Sequence, residues 1–301
     1  MQSAALASVS GVGASLIATP AAARGGSPAL VSTQLGANLK VVSGAGCNVV
    51  AMGSPQGALL VDGGEAQSSA ALLKEVLKGT GASRVSVLFN THWHPEQTGS
   101  NERVGKSGAT LIAHENTKLW LSRPIKAAWL PKPFGPLPEK ARPNKTTYTL
   151  DTLSFGSEQI EYGYMLQAHT DGDLYVYFRN ANVLATGGVV SAEGWPRLDW
   201  ETGGWIGGLV AGYDRLLKVA NDTTQIVPAN GPILRRSDLE SHRKMYMTMY
   251  ERLVALLNKG LGPDEVVAAN PAKEFAAQWG DPNAFVDSGY RSLWGHFAPD
   301  A

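Results

Sequence analysis

Two histidines spaced by one residue follow directly on a predicted buried strand. Val85 to Phe89 is a short apolar run after Gly81, a pattern typical of a buried strand. His92 and His94 come just past its end, where an i, i+2 pair can aim both imidazoles at one point. Zinc accepts imidazole nitrogen and usually needs three or four ligands. The pair alone therefore predicts an incomplete metal site that requires a further ligand from elsewhere in the chain.

A third histidine lies in a similar setting further along the chain. His169 stands between two apolar runs, Ile160 to Leu166 and Leu174 to Phe178. It therefore also lies where a predicted strand gives way to a turn. His169 is the best candidate for the missing ligand.

Several motifs, taken together in their order and spacing, are typical of a known family. They are His92-x-His94-x-Glu96-Gln97, His169-Thr170-x-Gly172-Asp173, Val183 to Gly188 and Val227 to Pro232. In order and spacing, the chain resembles the metallo-β-lactamase-fold hydrolase superfamily over residues 37 to 260. The resemblance implies an α/β fold, an αββα sandwich in one domain over residues 26–301. It also implies that His92, His94 and His169 form the first zinc site.

The same resemblance implies a second zinc site, and here the chain departs from the family pattern. The positions of the second-site ligands carry Glu96, Gln97, Gly188 and Asn230. Amide oxygens are poor ligands for zinc, and glycine offers no side chain. We interpret the chain as a variant that binds one Zn²⁺; a site that has lost its metal altogether is the alternative.

Within a one-zinc site, three of the replacing residues are predicted to be catalytic. Glu96 is the best-placed carboxylate to take a proton from the attacking water or to orient it. Gln97 and Asn230 would hold an oxyanion or a substrate carbonyl by hydrogen bonds.

Two further groups of residues are predicted to support the site. Asp62 ends a predicted strand and would orient a zinc-bound histidine, although turn chemistry explains it equally well. Asp171 and Asp173 are predicted to brace the turn that carries His169.

A loop rich in glycine and tryptophan precedes a helix predicted over Ile206 to Val219. The family resemblance implies that this loop approaches the metal pocket. Trp195, Arg197 and Trp200 are therefore candidates for substrate contact. The alternative is that they pack the start of the helix.

These residues predict a zinc-dependent hydrolase of an ester, lactone or amide bond in a small molecule, with weak or absent activity on β-lactams. A non-catalytic binding protein on the same fold is the second hypothesis, because all second-site ligands are replaced together. A non-hydrolytic metal enzyme is the third, since Glu96 could supply the carboxylate that iron normally requires.

The composition and the first residues bear on partners and location. The 301 residues include 26 basic and 26 acidic side chains, so no charge excess favours nucleic acid or an anionic membrane as partner. Residues 1–25 resemble the remnant of an export signal, with an Ala-x-Ala site but without a basic start. We therefore expect a periplasmic protein, with the twin-arginine route as the hypothesis for its export. The single Cys47 can form no internal disulfide.

Two segments outside the motifs carry structural predictions. Residues 118 to 147 contain six prolines among aromatic side chains and are interpreted as a lid over the metal pocket, with a plain surface loop as the alternative. Ser237 and Glu240 form a possible capping box for a helix ending at Lys259. Residues 271–298 are predicted to be a helical tail without chemistry.

Overall fold

Two mixed β-sheets with helices on their outer faces make up the fold. The computed structural model describes residues 29–297. The first sheet has seven strands: β1 (Val31–Gln34), β2 (Leu39–Ser43), β3 (Val49–Ser54), β4 (Gly57–Val61), β5 (Val85–Phe89), β6 (Thr110–His114) and β7 (Lys145–Thr147). The second sheet has five strands: β8 (Leu150–Phe155), β9 (Glu158–Met165), β10 (Asp173–Phe178), β11 (Val183–Ala185) and β12 (Gln225–Val227).

The strands of the first sheet lie in chain order, and those of the second sheet lie in the order β12-β11-β10-β9-β8. Strands β1 to β4 pair antiparallel, whereas β4 to β7 pair parallel. In the second sheet only β11 and β12 are parallel. The inner faces pack on each other, so that Val50 and Leu59 share one buried cluster with Tyr162 and Val176.

Nine α-helices flank the sheets in the described part of the chain: α1 (Ser69–Thr80), α2 (Pro95–Thr98), α3 (Asn101–Lys106), α4 (Glu115–Leu121), α5 (Ile206–Val219), α6 (Arg236–Leu257), α7 (Pro263–Ala268), α8 (Ala276–Trp279) and α9 (Asn283–Phe297). Leu72 and Val76 of α1 pack on the outer face of the first sheet. Helices α5, α6 and α9 cover the second sheet in one large cluster. The expected αββα sandwich is confirmed.

The carboxyl ends of strands from both sheets carry the predicted site residues. Asp62 follows β4, His92 and His94 follow β5, and His169 lies in the turn between β9 and β10. Gly188 follows β11 in the same way. Strand ends that meet along one edge bring together residues that are far apart in the chain.

Some local predictions differ from the structure. The segment 118–147 begins inside α4 and ends in β7, so its irregular part is shorter than predicted. The capping box of Ser237 and Glu240 is wrong: α6 begins at Arg236, and the backbone N–H of Arg235 donates to Asp238 Oδ2 at 2.7 Å. The predicted tail contains α8 and α9. The proposed export signal, residues 1–25, lies outside the described residues, and no helix within them is long and apolar enough to cross a bilayer.

A pair of buried amides ties the segment after β5 to the end of the proline-rich segment. Asn90 Nδ2 donates to Asn101 Oδ1 at 3.0 Å, and Asn101 Nδ2 donates back to Asn90 Oδ1 at 2.8 Å. Asn101 Nδ2 also donates to the carbonyl of Ala141 at 2.9 Å. Both asparagines are fully buried.

We predict that Asn101→Ala lowers the free energy of unfolding by about 2–4 kcal/mol, because each buried polar group left unpaired costs about 1–3 kcal/mol. Urea denaturation measures this loss. Asn283→Ala, at an exposed position of α9, is the matched control and should change the free energy by less than about 0.5 kcal/mol. Equal stabilities of the two variants would contradict the role given to the amide pair.

Candidate metal centre

Three imidazoles meet at the shared edge of the two sheets. His92, His94 and His169 are 1%, 1% and 4% exposed, and one nitrogen from each lies within 4.8 Å of the others. Their ring centroids are 4.5–4.8 Å apart. The structure therefore brings together the three histidines that the sequence singled out.

The ring of His92 is held through a threonine and a buried aspartate. His92 Nδ1 lies 3.0 Å from Thr91 Oγ1, which lies 2.8 Å from Asp62 Oδ2. With Asp62 ionised, the threonine hydroxyl donates to the carboxylate and accepts the Nδ1 proton. This leaves the lone pair of Nε2 for another partner. Asp62 thus acts on His92 through Thr91, and burial raises the pKa of its carboxyl to about 7.

The ring of His94 is held by a carboxylate that sequence reasoning missed. His94 Nε2 lies 2.9 Å from Asp199 Oδ2, and the aspartate is 1% exposed. Burial raises the pKa of Asp199. When Asp199 is ionised it accepts the Nε2 proton, which leaves Nδ1 of His94 unprotonated. A carboxylate on the far side of a ligating imidazole is the usual partner that fixes its tautomer and orientation.

The turn that carries His169 is braced by Asp173. Its Oδ2 accepts the backbone N–H groups of His169 at 2.6 Å and Thr170 at 2.7 Å. Its Oδ1 lies 3.6 Å from His169 Nδ1, too far for a hydrogen bond. On the other side, the glycine backbone of Gly188 lies so close that an added Cβ would stand 2.5–2.8 Å from ring atoms of His169.

The donor set suits a zinc ion. Burial is the largest of the effects that lower the pKa of His92 and His94 well below the usual 6.5. The neighbouring imidazoles and Arg197 lower it further. Both rings are therefore neutral at physiological pH, the form in which imidazole binds metals. His169 Nδ1 is buried without a hydrogen-bond partner. Three buried imidazoles facing one another match a three-histidine zinc site.

Glu96 and Arg197 stand beside this centre. Glu96 Oε1 lies 3.7 Å from His94 Nδ1 and 3.8 Å from an Arg197 guanidinium nitrogen. The guanidinium also lies over the ring of Trp129, 4.0 Å from its centroid. Trp129 belongs to the proline-rich segment, and its ring centroid is 4.8 Å from that of His94. This segment therefore covers the metal centre, and its role as a lid stays a prediction.

The other predicted residues are placed less directly. Gln97 is buried, and its Oε1 has no hydrogen-bond partner. Asn230 is exposed, and its Oδ1 accepts the hydroxyl of Ser191 at 2.7 Å. Asp171 lies in the turn that carries His169 and connects it to α4: its Oδ1 accepts the indole N–H of Trp120 at 2.7 Å, and burial raises the pKa of the Asp171 carboxyl to about 6. Its predicted role in bracing that turn stays a prediction.

The two tryptophans of the Gly/Trp-rich loop differ in their contacts. Trp195 stacks on Phe285 of α9 at 4.8 Å and donates to the carbonyl of Gly280 at 3.2 Å. Trp200 is 38% exposed. Sequence reasoning missed Asp199 between them; its only signal was a carboxylate next to Leu198 in a loop assigned to the pocket.

Comparisons with known proteins agree with this fold. The family model described as metallo-beta-lactamase superfamily matches residues 42–242. A metallo-beta-lactamase from Pontibacter korlensis has a TM-score of 0.60 at 20% identity, over 73% of this chain and 99% of that one. The DIM-1 metallo-beta-lactamase has a TM-score of 0.58 at 18% identity, over 73% and 98%. The sec-alkylsulfatase Pisa1 from Pseudomonas sp. has a TM-score of 0.63 at 15% identity, over 88% and 49%. A comparison with curated proteins gave no match.

We predict that Asp199→Asn weakens zinc binding about 10-fold and Asp199→Ala about 100-fold, the range found when the partner of a ligating histidine is lost. Competition with a chelating dye measures the zinc dissociation constant. Asp222→Asn is the matched control, because the side chain of Asp222 is 97% exposed. Unchanged zinc affinity in both Asp199 variants would contradict the anchoring role.

Proposed function

Since the chain belongs to the metallo-beta-lactamase superfamily, we propose that it is a hydrolase of ester, lactone or amide bonds with one zinc held by His92, His94 and His169. The observation that carries this proposal is the convergence of three buried imidazoles. The outer nitrogens of His92 and His94 lie at hydrogen-bond distance from Thr91 and Asp199, and Asp173 holds the backbone of His169. A binding protein without chemistry has no need for imidazoles positioned in this way.

The environment of Gly188 supports a single metal. A second zinc would need a side-chain ligand near this position, yet any Cβ at residue 188 would collide with the ring of His169. The Asn230 amide oxygen is occupied by Ser191. Ligands for a second ion are therefore replaced, and at residue 188 a ligand is sterically incompatible with His169 in its place.

A bound zinc ion and the protein's own side chains would supply different parts of the hydrolytic chemistry. Zinc, when bound, lowers the pKa of a coordinated water to about 7 and polarises a carbonyl oxygen. Glu96 lies beside the metal-facing nitrogen of His94, where its carboxylate can accept a proton from the attacking water. The neighbouring Arg197 guanidinium lies 3.8 Å from that carboxylate and can donate to a substrate oxygen.

Two amides remain as hydrogen-bonding groups for the substrate. Gln97 is next to Glu96 in α2; its Oε1 is buried and can only accept, so holding an oxyanion would fall to its Nε2. Asn230 keeps its Nδ2 as a donor, since only Oδ1 accepts from Ser191. Without a second metal to stabilise the leaving group, we expect weak or absent opening of β-lactams, although the fold is shared with β-lactamases.

We predict about one zinc per chain in protein purified without added metal, determined by elemental mass spectrometry. His94→Ala should lose it. Two metals per chain, or efficient opening of a cephalosporin, would overturn the one-zinc proposal. Absence of metal even after zinc is supplied would instead favour a non-catalytic binding protein.

We predict further that Gly188→Ala weakens zinc binding at least about 10-fold, because the new methyl group must displace the His169 ring. Gly295→Ala is the matched control, since a Cβ there meets no atom within 4 Å. Zinc affinity is measured by dye competition in both variants. A Gly188→Ala protein with wild-type affinity would show that residue 188 has room for a side chain.

We predict that Glu96→Gln lowers kcat about 10²–10⁴-fold, the usual contribution of a general base, while the zinc content stays unchanged. Steady-state kinetics on a panel of esters and lactones, with metal analysis of the same samples, tests this. Glu102→Gln is the control, because that side chain is 49% exposed and pairs with Lys106. A Glu96→Gln enzyme of normal kcat would assign the proton transfer to another group.

A further inference from the structure

A cavity of about 380 Å³ adjoins the metal centre on the side of the C-terminal helices. The proline-rich segment, the Gly/Trp-rich loop and α9 form its walls. Aromatic rings dominate the lining: Trp129, Trp195, Trp200, Trp279 and Phe285. Helix α9 lies outside residues 42–242, which the family model matches, so part of this cavity is built by a segment beyond the shared fold.

The aromatic walls are fixed by their own packing. Trp195 stacks on Phe285 and lies 5.6 Å from the ring of Trp279. Phe285 and Trp279 are 2% and 7% exposed. Rings held in this way cannot collapse easily into the cavity, so it is pre-formed, as small-molecule sites usually are.

The cavity and the metal centre share a wall. Trp129, Arg197 and Asp199 all line the cavity. Trp129 packs on His94, Arg197 reaches Glu96, and Asp199 accepts the proton of His94. A substrate whose carbonyl lies at the metal centre therefore has this cavity as a neighbouring space for one of its substituents.

Two polar atoms of this shared wall are buried within the protein. Trp129 Nε1 is a donor and Asp199 Oδ1 is an acceptor, and neither is exposed to the cavity. The Trp129 indole N–H instead acts on the Asp199 carboxylate, where it opposes the rise in pKa that burial causes. The surface that the shared wall offers to a ligand is therefore mainly its aromatic ring.

The charges of the lining argue against an anionic ligand, since four carboxylates and one guanidinium line the cavity. Three of these carboxylates have partners away from the ligand: Glu201 accepts the N–H of Ala128 at 2.8 Å, Asp281 that of Asn283 at 3.0 Å, and Asp287 pairs with Arg291. The cation of Arg197 lies on the Trp129 ring beside Glu96. What remains available is mainly apolar aromatic surface.

We propose that this cavity binds an uncharged aromatic group of the substrate, of about two fused rings. A dry cavity of about 150 Å³ holds benzene, and this one is more than twice as large. Stacked aromatic contacts contribute about 0.5–1.5 kcal/mol each beyond the burial of apolar area. The assignment of the bound group to the substrate rests on the hydrolase proposed above; the binding of an aromatic molecule does not.

The test fills the cavity from α9. Ala284 and Ser288 line it one helical turn apart, so Ala284→Trp and Ser288→Phe each place a ring inside it. Isothermal titration calorimetry with 2-naphthamide measures binding directly, and both variants should bind at least 10-fold more weakly than the wild type. In kinetics, the ratio of kcat/KM for 2-naphthyl acetate to that for ethyl acetate should fall by a similar factor.

Asn283→Trp adds the same side chain at an exposed position of α9 that does not line the cavity, and both readouts should stay at the wild-type level. Wild-type protein that does not bind 2-naphthamide, or filled variants that bind it as the wild type does, would overturn the proposal. Binding that is lost in the filled variants while no ester, lactone or amide is hydrolysed would support the aromatic site and refute the hydrolase. Circular dichroism spectra of all variants verify folding.

Discussion

Burying three imidazoles around one point is the constraint on which the rest of this site depends. Each ring must be held so that one of its two nitrogens can face the centre. The groups that hold the rings come from three separate places: Asp62 with Thr91 at the β4 and β5 ends, Asp199 in the Gly/Trp-rich loop, and Asp173 at the start of β10, which holds the backbone of His169. Only an edge where strands of both sheets end can supply all of them. The sandwich therefore does more than carry the ligands, because it also positions the groups that orient them.

The sequence allowed the fold and the three ligands to be predicted, because both depend on local patterns. Apolar runs predict the strands, and histidines just past strand ends predict a common edge. Asp199 could not be predicted in the same way, since its contact with His94 depends on the path of a loop without regular structure. The start of α6 shows the same limit: Ser237 and Asp238 are both good capping residues, and the choice between them depends on where the preceding chain enters the helix. Patterns identify which residue types are present, whereas packing decides which of them meet.

Gly188 shows how the structure changes the meaning of a departure from a family pattern. From the sequence alone, a glycine at a ligand position indicates only that a metal ligand has been lost. In the structure the glycine is required, because the His169 ring occupies the space of its Cβ. Restoring a carboxylate here would therefore not restore a second metal site unless His169 moved as well. Residues 169 and 188 form one unit, so a change at either position alone disturbs the first site before it can create a second.

The cover of the metal centre also determines how a substrate could enter. Trp129 is anchored by Trp93 and His94, whereas Arg197 is 45% exposed and makes one cation–π contact and one long ion pair. Such contacts contribute about 0.5–1 kcal/mol and about 0–1 kcal/mol, so moving the arginine aside costs about 0.5–2 kcal/mol. At that cost about 3–30% of the molecules are open at any time. The Arg197 side chain can therefore act as the gate, while Trp129 stays in place as the wall between the metal centre and the aromatic cavity. An aromatic substrate would compete with Arg197 for the face of the Trp129 indole ring.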